Sequence, residues 1–330
     1  MEKTGRKIIV FLLLVCALPF PAYAQRLLVP GGQVIGMHLE DNTVSVGAIA
    51  DAGAEQSGLR VGDRIVSIDG TPIHCPADIR GALDRGDTAV RIRILRDGKS
   101  KTVTLRPTVT RDGPRLGIYT RVGTTGIGTV TYYDPVSRCF GALGHGVNTP
   151  EGTLLDMTDG RIYAATVLSV KKGKSGQPGQ LMGCVRDPAV LGTLDKNTAR
   201  GVFGKMPVLN DEPLPVAENG EIKKGKATIR CCICGSEVRS YDVEILKLYP
   251  ESRAAGRNML VRVTDPALLD ATGGIVQGMS GSPVLQNGKL IGAITHVLIN
   301  DPTTGYAIFA ENMLETAQTL ANKGEIKDAS

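Results

Sequence analysis

Short apolar runs alternating with polar residues, each closed by Gly, Pro, Asn or Asp, recur along most of the chain. A period of two over about four to eight residues marks half-buried strands. In the first third the pattern predicts a strand entered through Val34-Ile35-Gly36-Met37 and a second over 44–49. One helical turn, Ala54 to Leu59, follows, then a strand closed by Asp69-Gly70. Pro76 to Leu83 reads as a short helix with Pro in its first turn. The runs 90–95 and 100–105 flank Asp97-Gly98, a hairpin turn signal. From Leu116 to about residue 310 strand signals continue, among them 127–133, 140–143, 162–170, 226–234, 243–248, 259–263 and 288–296. Helical spacing returns only at 311–321, with Met313, Leu314, Ala317 and Leu320 on one face. The chain is therefore expected to be mostly β, with barrels or sandwiches built from short strands.

Composition narrows this picture. At 330 residues the chain has room for two domains. The net charge is +5, yet no block of Lys and Arg interleaves with aromatic residues, so a nucleic-acid partner is not expected. Lys3, Arg6 and Lys7 precede an apolar run, 8–20, and Ala22-Tyr23-Ala24. That is the layout of a signal peptide over 1–24; retention of 8–20 as an anchor stays open. Six cysteines follow it, and Cys231, Cys232 and Cys234 fall in one strand-like run. They lack paired C-x-x-C spacing with His, so no metal site is expected; buried thiols and a disulfide both stay open. Lys171 to Gly176 holds Lys and Gly out of frame for a phosphate loop.

The candidate chemistry lies in Gly273-Gly274-Ile275-Val276-Gln277-Gly278-Met279-Ser280-Gly281-Ser282-Pro283, one nucleophile-type Ser among four glycines. Such a loop can aim the N–H groups of Gly278 and Ser280 at one oxygen, which an oxyanion hole requires. A tight turn between strands is the plainer reading. A Ser hydroxyl also needs an adjacent base. The second part of the chain offers two histidines: His145, in Leu143-Gly144-His145-Gly146-Val147, and His296, at the end of the strand after the Ser loop. His38 and His74 read as surface or groove-lining residues.

Residues 28–107 resemble a bacterial PDZ domain, most specifically in Gly58-Leu59-Arg60-Val61-Gly62-Asp63-Arg64-Ile65-Val66-Ser67-Ile68-Asp69-Gly70. That resemblance implies capture of a peptide terminus or internal segment by strand addition. Val34, Ile35, Gly36 and Met37 would hold the carboxylate and strand, and Ile79 and Leu83 the helix side of the groove. Gly278 to Pro283 resembles the G-x-S-G-G-P loop of two-barrel, trypsin-like serine proteases, with Ser282 for the second Gly, and His145 precedes Ser280 as in that clan. The whole run from Leu28 to about Leu320 resembles the stage IV sporulation protein B (SpoIVB) peptidase family. The polar stretch 108–115 reads as a linker, and the resemblance makes 116–322 a serine peptidase domain with a tail over 323–330. It implies an exported endopeptidase of endospore formers, acting between the sporulation membranes. Such enzymes cut themselves and a membrane-associated regulator in a cascade that activates a late sigma factor, without cofactor or metal. The family's acidic residue maps onto Asp265, with Asp156, Asp187 and Asp195 in reserve. Two other readings stay open: a housekeeping protease, and a PDZ scaffold that only binds.

Overall fold

The computed structural model describes residues 26–328 except 84–87, 151, 208 and 252–255. The expected signal segment 1–24 lies outside the described residues.

Strand β1 spans Leu27–Pro30 and β2 spans Val34–Ile49. β2 is longer than the sequence suggests, because the polar stretch Glu40-Asp41-Asn42 stays extended rather than turning. Its two halves belong to different bodies. Ile35, Met37 and Leu39 lie on one face, as period-two side chains must, and are buried in a barrel core. Val44 and Val46 are buried in a separate core with Ala54, Leu59, Ile65, Ile68, Ile92 and Ile94.

That second core is the PDZ-like unit. Its elements are α1 (Ala52–Gln56), β3 (Arg64–Ile68), β4 (Thr71–Pro72), α2 (Pro76–Ala82), β5 (Val90–Arg96) and β6 (Lys99–Leu105). Asp51 caps α1 by accepting the Ala54 N–H at 2.9 Å. Asp63, 1% exposed, receives two hydrogen bonds from Arg96, which ties β5 to the turn before β3. Residues 108–115 form a hairpin of β7 (Thr108–Thr110) and β8 (Gly113–Arg115), where a polar linker was expected. Leu116 then returns to the PDZ core.

The chain leaves this unit by β9, Ile118–Tyr133, which pairs antiparallel with β2 along nearly its whole length. Residues 118–122 pair with 44–49 in the PDZ unit, and 124–129 pair with 34–39 in the barrel. The PDZ unit is therefore an insertion between the first two strands of a barrel, not a domain ahead of it. It occupies about 44–122, and the expected boundaries 28–107 and 116 move accordingly.

The first barrel closes through β10 (Cys139–Ala142), β11 (Met157–Lys171), β12 (Gln180–Thr198) and β13 (Gly201–Lys205). β2 pairs with β11, β11 with β12, β12 with β13, β13 with β10, and β10 with β9, which returns to β2. A short strand, β14 (Leu214–Pro215), lies beside β1. The second barrel is closed by β15 (Gly225–Cys231), β16 (Arg239–Leu248), β17 (Met259–Val263), β18 (Pro283–Gln286), β19 (Lys289–Leu298) and β20 (Asp301–Phe309). Helix α3, Pro266–Thr272, lies between β17 and the Ser loop.

The C-terminal helix α4 runs Ala310–Asp328, beyond the expected end of its periodic stretch and into the expected tail. Ala310, Met313, Leu314 and Ala317 recur at helical spacing. They pack on Leu28, Tyr132 and Phe203 of the first barrel side and on Leu290, Ala293 and Ile308 of the second. The helix thus covers the seam between the barrels, where burial of each large apolar side chain is worth about 1.5–3 kcal/mol.

Candidate active site

The Ser loop is fixed from both barrels. On the second barrel side, Gly281 N donates to Ile294 O at 2.7 Å and Ser282 N to Met279 O at 3.0 Å. Ser282, fully buried, also donates from its Oγ to Met279 O at 2.7 Å, so the side chain replacing the clan's glycine braces the turn. From the first barrel, Thr129 N donates to Ser280 O at 3.1 Å. Thr129 Oγ1 donates to Gly278 O and Thr131 Oγ1 to Gly281 O, both at 2.8 Å. Gln277 exchanges hydrogen bonds with Gly179 and Leu181 at the start of β12.

This network leaves two donors uncommitted. Among the described residues, the N–H groups of Gln277, Met279, Gly281 and Ser282 each donate a hydrogen bond, and those of Gly278 and Ser280 do not. Gly278 has φ +97°, a conformation in which glycine is at home.

His145 follows a turn with two left-handed residues, Leu143 (φ +67°) and Gly144 (φ +69°). A side chain rarely accepts that angle, so the turn is held by its surroundings. Leu143 N donates to Thr129 O at 3.2 Å, and Leu143 is buried in the first core. A Cβ on Gly144 would lie 2.8 Å from Thr295 Cγ2, so only glycine lets the turn meet the second barrel there. Asn197 clamps the far side. Its Nδ2 donates to Val147 O and Leu155 O, and its Oδ1 accepts from Val147 N. Nothing in the local sequence around Asn197 pointed to this role, because its partners lie about fifty residues away.

His145 Nδ1 lies 2.8 Å from Gly146 O. A carbonyl only accepts, so Nδ1 carries the proton and Nε2 keeps its lone pair. Burial lowers the pKa of His145 below the ordinary histidine value, against the opposing effect of the Gly146 contact. His145, Ser280, Gly278 and His296 line one cleft of about 710 Å³ between the barrels. Its walls are mostly apolar, with Met37, Leu39, Ile127, Ile275, Val276 and Val297 beside the uncharged polar side chains of Thr124, Thr125, Asn148 and Gln277. Ser280 Oγ donates to Thr295 O at 2.9 Å rather than to His145, with both side chains on the same cleft.

Asp265 is elsewhere. It is the N-cap of α3, with Oδ1 accepting from Ala267 N (2.9 Å) and Leu268 N (3.1 Å) and Oδ2 from Asp242 N (3.3 Å). It does not line the cleft, and the structure does not bring it to His145. Physically, Asp followed by Pro at the first helical position is a helix start, and that use engages Oδ1 while Asp242 N of β16 occupies Oδ2. Asp156, Asp187 and Asp195 are exposed and also lie off the cleft. We expect Asp265→Asn to keep turnover within about twofold and to lose about 1 kcal/mol or less of stability, since Asn caps as well as Asp but its Nδ2 no longer accepts from Asp242 N. Asp265→Ala should lose about 1 kcal/mol in urea unfolding with normal turnover per folded molecule. A tenfold or greater fall in turnover for Asp265→Asn would return this carboxylate to the reaction.

The expected peptide groove also moves. Val34, Ile35, Gly36 and Met37 are barrel residues paired on both edges, with β9 and in part with β11, so no added strand fits there. Ile79 and Leu83, 8% and 2% exposed, are PDZ core residues on and just after α2. Among the described residues, the outer edge of β6 is unpaired, and Ile118–Val122 likewise has one edge with no strand partner while its other edge pairs with β2. It is entered through Leu116-Gly117-Ile118, with Gly117 at φ +67°, and Ile118 packs on the PDZ core, as does Ala82 of α2. The signal was present: Leu116-Gly117-Ile118 repeats the apolar-Gly-apolar pattern of Ile35-Gly36-Met37. All six described cysteines are free thiols.

A PDZ unit set into a two-barrel body, with a Ser loop and a His turn facing one cleft, defines a protease-type fold. Residues 112–314 match SpoIVB peptidase S55, and 44–96 match a PDZ domain. The chain belongs to the SpoIVB peptidase S55 family, with a PDZ domain inside its first barrel. It is similar over 80 residues, at 35% identity, to the candidate zinc metalloprotease mll0638 of Mesorhizobium japonicum; these are 24% of this chain and 22% of that protein. With the candidate zinc metalloprotease R01501 of Rhizobium meliloti it shares 27% identity over 185 residues, 52% and 47% of the two chains. The chain thus spans less than half the length of the curated relatives it matches. Among solved structures it is similar to the active form of the Rv3671c protease from M. tuberculosis, at 19% identity and TM-score 0.34, covering 60% of this chain and 74% of that one. The inactive form of the Rv3671c protease gives 18%, TM-score 0.33, 57% and 81%.

Proposed function

We propose that this protein is a serine endopeptidase in which Ser280 is the nucleophile and His145 the general base. The observation that carries the reading is the cleft itself: a Ser hydroxyl, a base in the tautomer that exposes Nε2, and two N–H groups with no other partner. Ser280 turns from Thr295 O to His145, exchanging one hydrogen bond for another at a cost of about 1 kcal/mol or less. Its Oγ bonds to the peptide carbonyl carbon as its proton passes to His145 Nε2. The carbonyl electron pair moves to oxygen, which the N–H groups of Gly278 and Ser280 receive; such a donor is worth about 3 kcal/mol. The C–N bond then breaks, the amine leaves with the proton from His145, and water repeats the sequence on the acyl-enzyme.

Because burial lowers the His145 pKa, the imidazole stays neutral below the ordinary histidine range. The acid limb of kcat/KM should therefore fall below pH 6.5, the unshifted histidine value, with activity retained above it and lost as pH drops through it. An acid limb at or above the ordinary value would contradict a buried base.

Family membership and the basic-then-apolar N-terminus support the finer reading: an exported signalling protease of endospore formers, acting beyond the cytoplasmic membrane on itself and a membrane-associated regulator. The free edge of Ile118–Val122 supports capture of an extended protein segment by strand addition. The mostly apolar cleft walls suit uncharged side chains around the scissile bond. N-terminal sequencing of the purified protein and of Ser280→Ala tests self-cleavage. New termini in the first that are missing from the second support the reading; identical termini contradict it. Unfolded casein cut at one or a few bonds supports signalling, and broad digestion contradicts it.

A further inference from the structure

The site lacks an acid. Among the described residues no Asp or Glu lines the cleft, and Asp265 is held by α3. The base must still be oriented, because an imidazole that turns presents Nε2 to Ser280 only part of the time. The Nδ1 contact to Gly146 O sets the tautomer, but its acceptor is the next residue of the same turn.

His296 of β19 faces the His145 ring with centroids 5.2 Å apart and planes tilted by 42°, a contact geometry aromatic rings favour. Its backbone is fixed by pairing with Tyr306 of β20, and the residue before it, Thr295, supplies the carbonyl that holds Ser280 Oγ. His296 Nδ1 is buried and makes no hydrogen bond among the described residues. An unpartnered buried nitrogen is a cost to the fold, so hydrogen bonding through Nδ1 is not what keeps an imidazole there. The ring also stays uncharged at neutral pH: burial, then His145, then Arg257 push its pKa down to about 4.

We propose that His296 is the positioning residue of His145, doing by ring packing what an orienting carboxylate does by charge. It holds the His145 imidazole against Gly146 with Nε2 turned to the nucleophile, and it keeps water off the ring. The inference rests on the serine-peptidase reading. The titratable and charged groups around the pair are His145 on the turn after β10, His296 on β19, Arg257 ahead of β17, and Tyr306 of β20, over whose ring Arg257 lies at 5.4 Å.

The test is steady-state kinetics of the full protein on a peptide spanning a self-cleavage site, with thermal melts to confirm folding. His296→Ala should lower kcat about 10- to 100-fold with KM within about twofold. It should also move the acid limb of kcat/KM to higher pH, because His145 loses the cover that lowers its pKa. His296→Phe keeps a ring and the burial, so kcat should stay within about threefold of the parent, with the limb in place. His296→Gln, polar and of similar volume but without a ring, should fall with Ala; it carries the test if the Ala variant does not fold. Parent-like kcat in the Gln variant or in a folded Ala variant, a loss confined to KM, or a Phe variant as impaired as Gln would each overturn the proposal. Ser280→Ala, assayed in parallel, separates the two claims. Cleavage near the parent's rate there defeats the peptidase reading, whereas a Ser280→Ala variant slowed by about 10⁴-fold or more beside a fully active His296→Gln defeats only the role of His296.

Discussion

Ser280→Ala reduces turnover by about 10⁴-fold or more while leaving the fold in place. The side chain makes one hydrogen bond, to Thr295 O, so its removal costs about 1 kcal/mol of stability at most. His145→Ala has the same effect on turnover, and the double variant is no worse than either alone, because nucleophile and base act as one unit. The check is kcat/KM for the three variants on one peptide, with melting curves beside them. Additive losses would mean that the two residues act separately and that the cleft is not a nucleophile–base site.

Gly281→Ala has the second-largest effect, by a different route. A Cβ there would lie 2.0 Å from Thr129 O and 2.5 Å from Leu143 N, at φ +96°. These are backbone atoms of the first barrel and cannot swing away. The loop or β9 has to move, and β9 holds Ser280 and Gly278 through Thr129. Overpacking and a left-handed alanine together cost about 2–5 kcal/mol. Displacing the oxyanion donors lowers kcat about 10²- to 10³-fold in the molecules that remain folded. Gly288→Ala is the comparison: its φ is +73° but nothing stands within 4 Å of the new Cβ. It should cost about 1–2 kcal/mol and leave turnover unchanged. Denaturant unfolding with activity per folded molecule separates the two variants; equal behaviour would show that contact with the first barrel does not position the loop.

What the sequence made legible was local. The Ser loop announced itself by its glycines, the His turn by flanking glycines, and the strand runs by their period of two. The mostly β reading follows from the same signals. What stayed hidden depends on partners far along the chain. Ile35, Met37 and Leu39 alternate as a PDZ strand would, and only pairing with 124–129 and 157–164 shows that they belong to a barrel. The insertion was invisible because Glu40-Asp41-Asn42 resembles a turn, whereas β2 and β9 continue through it as one ladder. Asp265 is the opposite case. Its local signature, Asp-Pro ahead of Ala-Leu-Leu, marks a helix start, which competes with the catalytic role that the family resemblance implies. His296 looked like a strand-end residue because the ring it faces lies in the other barrel, about 150 residues upstream.

The central claim is that Ser280 is a nucleophile activated by His145. It is tested most directly by treating the intact protein with a fluorophosphonate and locating the adduct by mass spectrometry. The account predicts a single adduct on Ser280, formed rapidly by the parent and lost in His145→Ala, with Asp265→Asn labelled at the parent's rate. Labelling at another residue, or equal labelling of Ser280 with and without His145, would contradict it.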